Sequence, residues 1–216
     1  MTDPADARAK RLRRESSGFL IGSALFGVGA VPAHATAAGP LGSALTFFVG
    51  SLFFTLGGFI QFALSGRRPP RGRWRSADAA DWWSALIQFM GTVLFNVSTV
   101  TVLVAAVPAT PGTFSGWRLD VWGSAAFLVS SILAMVAANR RHELWDPLAR
   151  TWHGTILNML GSIAFAFSAV GAFVVPATGA VLSEFWANGG TFVGAICFFV
   201  AALLARRFIP QDAPAR

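Results

Sequence analysis

The polar side chains inside the apolar runs of this chain are the residues whose types and spacing could do chemistry. Between residues 82 and 107, Ser84, Gln88, Thr92 and Asn96 recur every fourth position. Residues four apart lie on one face of a helix, so these side chains form a single polar stripe. Hydroxyl and amide groups on a membrane helix either hydrogen-bond to neighbouring helices or line a passage for a small solute.

A related set of hydroxyl residues recurs at about 70-residue intervals. Ser23, Thr92 and Ser162 each follow a glycine, and Asn158 occupies the position that corresponds to Gln88. One interpretation is helix packing, which the small-residue pairs Gly18/Gly22 and Gly190/Gly194 also indicate. The other is a hydroxyl-lined constriction, and Asn96 is the residue that symmetric packing explains least. The candidate lining residues are Ser23, Thr92, Ser162, Gln88, Asn158 and Asn96.

Residues suited to catalysis or metal binding are sparse in the apolar runs. No Asp, Glu, Lys or Arg lies near the middle of a predicted span, and the single cysteine is Cys197. The three histidines, His34, His142 and His153, do not have the spacing of a shared metal site. We therefore predict no catalytic residues, no metal site, no cofactor and no proton coupling, and an intramembrane enzyme is the least favoured function.

The elements that position these residues are predicted to be membrane helices. Of the 216 residues, 54% are hydrophobic and only 12% are charged, and the mean hydropathy is +0.57. A hydrocarbon core of ~30 Å needs about 20 helical residues. The sequence predicts an all-α integral membrane protein with six spans, near 18–36, 41–65, 82–107, 119–138, 152–175 and 185–205.

The positions of the basic residues predict the orientation. Sixteen of the 17 Lys and Arg residues precede the first span or follow an even-numbered one, and Arg118 is the exception. Basic residues near span ends stay on the cytoplasmic side, so both termini are predicted to be cytoplasmic in an inner or plasma membrane. The same residues are candidate contacts for anionic lipid head groups: Arg11, Arg13, Arg14, Arg67, Arg68, Arg140, Arg141, Arg206 and Arg207.

The first span admits a second interpretation. The basic start, the apolar stretch 18–31 and the following Pro-Ala-His-Ala resemble a secretory signal peptide with its cleavage site. We interpret the stretch as a span because its sequence recurs later in the chain.

Three segments share several features in the same order. Gly22–Phe26, Gly91–Phe95 and Gly161–Phe165 match, and each is followed by Val-Pro-Ala. In the even-numbered spans we match 47–51, 127–131 and 191–195, and each unit ends in Arg-Arg. Parallel two-span units predict three hairpins in a pseudo-threefold bundle. The chain then divides into a basic cytoplasmic segment (1–17), hairpins 18–68, 82–141 and 152–207, cytoplasmic loops 69–81 and 142–151, and a cytoplasmic tail (208–216).

These motifs resemble a known membrane family. Hairpins of this length with Gly-Ser/Thr-x-x-Phe in the first helix, Phe-x-Val-Gly/Ser-Ser in the second and a final basic pair are similar to the YrhK-like membrane domain, here about three times in tandem. The resemblance implies a membrane location and supplies no catalytic or binding residue.

These observations predict a non-enzymatic membrane protein. The leading interpretation is a passive, non-proton-coupled channel or binding cavity for a small neutral or weakly polar solute. The alternative is a structural or accessory subunit that packs against a partner membrane complex or anionic lipids. We expect membrane lipids as partners, together with a membrane-protein partner or a second copy of the chain. No nucleic acid is expected, because the net charge of +7 reflects the bias of basic residues to one side.

Overall fold

The computed structural model describes residues 4–66, 76–107, 117–146 and 152–207. Within these ranges the chain forms six α-helices and no β-strand, as the all-α prediction requires. One isolated bridge pairs Val174 with Val181 between the last two helices. The helices are α1 Pro4–Gly29, α2 Pro32–Leu64, α3 Ala77–Ala105, α4 Trp117–Arg140, α5 Trp152–Gly171 and α6 Glu184–Arg207.

Five of these helices, α2 to α6, are long and apolar enough to cross a membrane. Helix α1 is long but carries the basic N-terminal residues in its first half, and its apolar part runs only from Gly18 to Gly29. About 12 helical residues span ~18 Å, less than a hydrocarbon core. Helix α1 runs without a break through residue 17, where the sequence divides into the basic segment and the predicted first hairpin.

The connection between α1 and α2 differs from the predicted span end at residue 36. Helix α1 ends at Gly29, and Pro32 begins α2, where the missing N–H of proline costs nothing. Inside α2, Gly39 has φ 69° and ψ 178°, and Pro40 follows it. His34 Nε2 lies 3.0 Å from Thr46 Oγ1, although twelve residues of straight helix span ~18 Å. The segment 32–38 thus folds back, and the helix after the bend matches the predicted second span.

The six helices form a closed ring. Consecutive helices pack against one another along the chain, and α6 packs against α1. This order places α1 between α2 and α6. The apolar part of α1 is too short to cross a membrane, whereas α2 and α6 are long and apolar enough to do so.

In each of the pairs α1–α2, α3–α4 and α5–α6, a glycine of each helix packs against a phenylalanine ring of the other helix. We call this reciprocal contact the Gly–Phe exchange. A Cβ atom on Gly22 of α1 would lie 2.5 Å from the Phe54 ring of α2, and one on Gly50 of α2 would lie 2.9 Å from the Phe26 ring of α1. The Gly22 Cβ would also lie 2.9 Å from the Gly50 carbonyl oxygen, so the backbones meet. The same exchange joins Gly91 to Phe127, Gly123 to Phe95, Gly161 to Phe198, and Gly194 to Phe165.

These contacts correct one predicted equivalence. We matched 127–131 in α4 with 47–51 in α2, but Phe127 contacts the α3 glycine as Phe54 contacts the α1 glycine. The predicted register was therefore wrong by seven residues, which is about two helical turns. Residues seven apart lie on the same face of a helix, so apolar pentapeptides are easily aligned in the wrong register. In the observed register every helix carries Gly-Ser/Thr/Ala-x-x-Phe, at 22–26, 50–54, 91–95, 123–127, 161–165 and 194–198.

Candidate functional site

The centre of the ring is filled by phenylalanine side chains, one from the shared motif of each helix. The centroids of rings in contact lie 5.1 to 6.3 Å apart, and all six rings are buried. Edge-to-face and tilted ring pairs at such distances are favourable contacts. The space left beside the rings is about 10 Å³, which is too small for a polar solute. We call this cluster the aromatic core: Phe26, Phe54, Phe95, Phe127, Phe165 and Phe198.

A cavity opens at the end of the bundle where the odd-numbered helices begin and the even-numbered helices end. Its volume is about 470 Å³, and all six helices contribute to its wall. A deeper space of about 180 Å³ shares Glu15, Gln61 and Asn158 with it and extends to Phe198 of the aromatic core. We call the two spaces together the basic-end cavity. It is a funnel that opens at this end and terminates at the aromatic core.

The inner wall of the basic-end cavity carries acceptor groups without partners. No ion pair or hydrogen bond joins the Glu15 carboxylate to another described residue, and burial raises its pKa to about 7. Glu15 precedes the apolar stretch of α1. Gln61 Oε1 is buried and has no hydrogen-bond partner in the described part of the chain, although buried polar atoms nearly always have one. Asn158 lies on the same wall. This part of the cavity can therefore accept hydrogen bonds from a bound molecule.

The mouth of the cavity carries Asp81 and His153. Asp81 forms an ion pair with Arg141, which also contacts Asp78 at 2.9 Å. The hydrogen bond to Asp81 is the main reason why the pKa of Arg141 is raised above its ordinary value. Arg140 donates a hydrogen bond to the Ser76 carbonyl oxygen. Both arginines therefore connect the end of α4 to the beginning of α3.

The other predicted head-group contacts have varied positions. Arg11, Arg14, Arg206 and Arg207 are exposed, and Arg13 is half-buried. Arg67 and Arg68 lie outside the described residues.

The polar stripe of α3 is engaged in contacts between helices. Ser51 of α2 donates to Asn96 Oδ1 at 2.6 Å, and Asn96 Nδ2 donates to Thr55 of the same helix. Gln88 Oε1 lies 3.2 Å from the Ser130 hydroxyl of α4 and shares its proton with the Ser84 carbonyl oxygen. Ser84 and Ser130 each donate to the other's backbone carbonyl. Asn96, which symmetric packing explained least, therefore bonds α3 to α2.

The three predicted hydroxyls are not brought together around a passage. Thr92 and Ser162 are fully buried, and Ser23 is 1% exposed. Thr92 donates to its own helix at the Phe89 carbonyl, whereas Ser162 shares a hydrogen bond with Ser131 of α4. The Ser23 hydroxyl has no hydrogen-bond partner among the described residues. Only Thr92 borders the small space in the aromatic core. The middle of the bundle is thus lined by phenylalanine and not by hydroxyl groups.

Two features of the site were missed from the sequence. Glu15 was assigned to the basic N-terminal segment, yet it lies on the inner wall of the cavity. The signal was present, because residues 15, 19, 22 and 26 have the spacing of one helix face, which leads from Glu15 to the aromatic core. The motif phenylalanines indicate similarity between the segments, and their spacing does not show that they meet. Their convergence depends on how six helices face one another.

Histidines are scattered in the described part of the chain. There, no three His, Cys, Asp or Glu residues come close enough to hold a metal ion. His34 bonds to Thr46, His142 adopts φ 61° after α4, and His153 lies at the cavity mouth. Only His153 therefore belongs to the candidate site.

No protein-family model matches this chain, and neither a curated protein nor a solved structure matches it. The resemblance to the YrhK-like domain thus rests on the sequence motifs alone.

Proposed function

We propose that this protein is a non-enzymatic, multi-pass membrane protein that binds a small polar solute in the basic-end cavity. The observation that supports this function is the cavity itself. All six helices contribute residues to its wall, and it ends at the aromatic core. Its volume lies within the range of small-molecule sites. From the sequence we expected a neutral or weakly polar solute, and the carboxylate of Glu15 extends the candidates to charged ones.

We also propose that all six helices span the membrane as three hairpins about a pseudo-threefold axis, with both termini in the cytoplasm; the short apolar part of α1 would be completed by residues 30–38, which contain no Asp, Glu, Lys or Arg. The recurring Gly–Phe exchange in the three helix pairs supports the hairpins. The closed ring of helices supports the axis. The basic residues at one end support the orientation in an inner or plasma membrane. The cavity would then open to the cytoplasm. Kinship with the YrhK-like membrane domain is part of the same proposal.

Any passage of the solute across the membrane would be passive and not coupled to protons. Among the described residues, no ionisable side chain belongs to the aromatic core. Asp120 and Glu184 lie in the first turns of α4 and α6, at the opposite end from Glu15. A proton relay needs titratable groups in sequence across the membrane. A hydrophobic constriction of this type would open by separating its rings.

The alternative, an accessory subunit, has less support. Glycine pairs at a surface would favour packing against a partner. Here the pairs Gly18/Gly22 and Gly190/Gly194 face neighbouring helices of the same bundle. A Cβ on Gly18 would lie 2.9 Å from the Gly57 nitrogen, and one on Gly190 would lie 2.6 Å from the Ala164 oxygen. These residues are therefore not free to bind a partner helix.

Cysteine accessibility tests the proposed function, because the chain has a single native cysteine. In a Cys197→Ala background, Asn158→Cys should react with a membrane-impermeant thiol reagent added to the cytoplasmic side only. Val129→Cys, which is exposed on the outside of α4, is the control and should stay unreactive in the lipid. No reaction at residue 158 from either side would reject the cavity and favour the accessory subunit. Reaction from both sides would show an open passage and reject the closed core.

A further inference from the structure

Resting on the proposed function, we infer that the basic-end cavity selects a small organic cation with N–H donors, such as a primary ammonium, and that the Glu15 carboxylate is its anchor. The geometry on which this depends is the inner part of the cavity. Glu15, Gln61 and Asn158 converge there from α1, α2 and α5. The carboxylate faces the space without an ion pair to any described residue.

The inner wall includes the amides of Gln88 and Asn158, but its acceptors without a described partner, on Glu15 and Gln61, match a donor ligand. A carboxylate only accepts hydrogen bonds, and Gln61 Oε1 is an acceptor without a partner. The terminal amide torsion of glutamine is soft, so a small rotation turns this oxygen toward a ligand. No Lys or Arg is among the described wall residues. An anion would therefore meet Glu15 with no cation in the wall to compensate, whereas an ammonium group would satisfy both acceptors.

The other ionisable groups of the wall leave Glu15 as the anchor. Asp81 of α3 is held in an ion pair with Arg141, which also contacts Asp78, and it borders only the outer part of the cavity. His153 of α5 lies at the mouth. The wall residues from α2, α4 and α6 include no ionisable side chain. The one carboxylate inside the cavity that has no described partner is therefore Glu15.

Binding of a cation should depend on pH, with a calculable sign. The carboxylate is ionised above its pKa of about 7, so affinity should rise as pH increases through that value. If only the ionised form binds, the ionised fraction increases from about 3% at pH 5.5 to about 90% at pH 8, and affinity should increase about 30-fold. An alkylammonium with a pKa near that of lysine stays protonated throughout, so the change reports on the protein.

Three probes of one length separate charge from size: butylammonium, 1-butanol and butyrate. Their binding to the full chain in nanodiscs can be measured by saturation-transfer NMR at pH 5.5 and pH 8. We expect butylammonium to bind at pH 8, with an affinity that falls about 30-fold at pH 5.5, and the other two probes to bind more weakly at pH 8. Equal affinity for butylammonium and butanol at pH 8 would overturn the inference.

Two variants and one matched control show which residue produces the preference for butylammonium and its pH dependence. Glu15→Gln should lose the preference for butylammonium, whereas Glu184→Gln, at the opposite end of the bundle, should keep it. The pH profile should persist in His153→Gln, and its loss there would refute Glu15 as the anchor. A preference retained in Glu15→Gln would also refute it.

Labelling of Asn158→Cys separates the two proposals. If the residue reacts from the cytoplasm but no probe shows cation preference, the cavity stands and the ligand class is wrong. If it does not react, the proposed function itself fails. Each Glu15 variant is measured for labelling at residue 158 first, so a misfolded sample is recognised.

Discussion

Two adjacent glycines in α6 allow a sharp test of the close helix contacts. Nothing lies within 4 Å of a Cβ placed on Gly189, whereas a Cβ on Gly190 would lie 2.6 Å from the Ala164 oxygen and 2.7 Å from the Ser168 nitrogen. Both atoms belong to the backbone of α5, which cannot turn aside as a flexible side chain does. We therefore expect Gly189→Ala and Gly190→Ala to have opposite effects on stability.

The magnitudes follow from the two environments. In an unobstructed helix position, alanine is favoured over glycine by up to about 1 kcal/mol, so Gly189→Ala should stabilise by about that amount. At Gly190 the new contacts are roughly 1 Å shorter than the carbon optimum of ~3.5–4.0 Å, and overpacking of this type costs about 1–3 kcal/mol. Separating α5 from α6 would also stretch the 2.6 Å hydrogen bonds of Ser168 to Ala187 and Thr191. These losses exceed the propensity gain, so Gly190→Ala should destabilise by about 1–3 kcal/mol.

Reversible unfolding by SDS titration in mixed micelles, followed by circular dichroism, gives the free energy of unfolding of each variant. The two adjacent variants serve as controls for each other, because they share the helix, the chemistry and the detergent. We expect a difference of about 2–4 kcal/mol between them. Equal stabilities, or a more stable Gly190→Ala, would show that α5 and α6 do not approach as closely as described.

Three further predictions concern polar residues. Asn96→Leu removes the hydrogen bonds to Ser51 and Thr55, and should lower the free energy of unfolding by about 1 kcal/mol in the same assay; unchanged stability would mean that these bonds contribute nothing. Arg141→Gln breaks an ion pair with Asp81 at the helix end, and should cost less than about 1 kcal/mol because Arg141 is partly exposed. That cost should shrink in 1 M salt, and a salt-independent cost would contradict the electrostatic origin. The raised pKa of Glu15 means that the folded state holds its proton more tightly than the unfolded state, so stability should fall between pH 5 and pH 8. Glu15→Gln should flatten that decrease in thermal unfolding, and identical pH profiles of parent and variant would contradict it.

The helices themselves could be predicted because their signals are local. Apolar run length and helix-breaking residues predicted spans at 119–138, 152–175 and 185–205, where α4, α5 and α6 lie. Hydropathy depends on consecutive residues, so no knowledge of neighbours is needed. The polar stripe of α3 could be predicted for the same reason, since helical spacing alone places its members on one face.

Sequence similarity located the Gly-x-x-x-Phe motif in α1, α3 and α5 but misplaced its partner in α4. The correct register depends on which glycine of α3 receives Phe127, and that is a contact between helices. Similar apolar residues recur along a membrane helix because every position that faces lipid favours an apolar side chain. A shift of about two turns therefore preserves the pattern while it changes every contact.

By itself, the sequence determined the all-helical class, the five helices that are apolar enough to cross a membrane, and the grouping of basic residues, since each depends on composition or on local spacing. Only the tertiary structure decided what the polar residues do. It engaged Asn96 with α2 and brought Glu15 from the basic segment into a cavity. It also closed the middle of the bundle with the aromatic core instead of the predicted hydroxyls. The physical reason is that the use of a side chain depends on the rotation and depth of each helix relative to its neighbours. Close packing of small and large residues sets that geometry, and spacing within one helix carries no information about it.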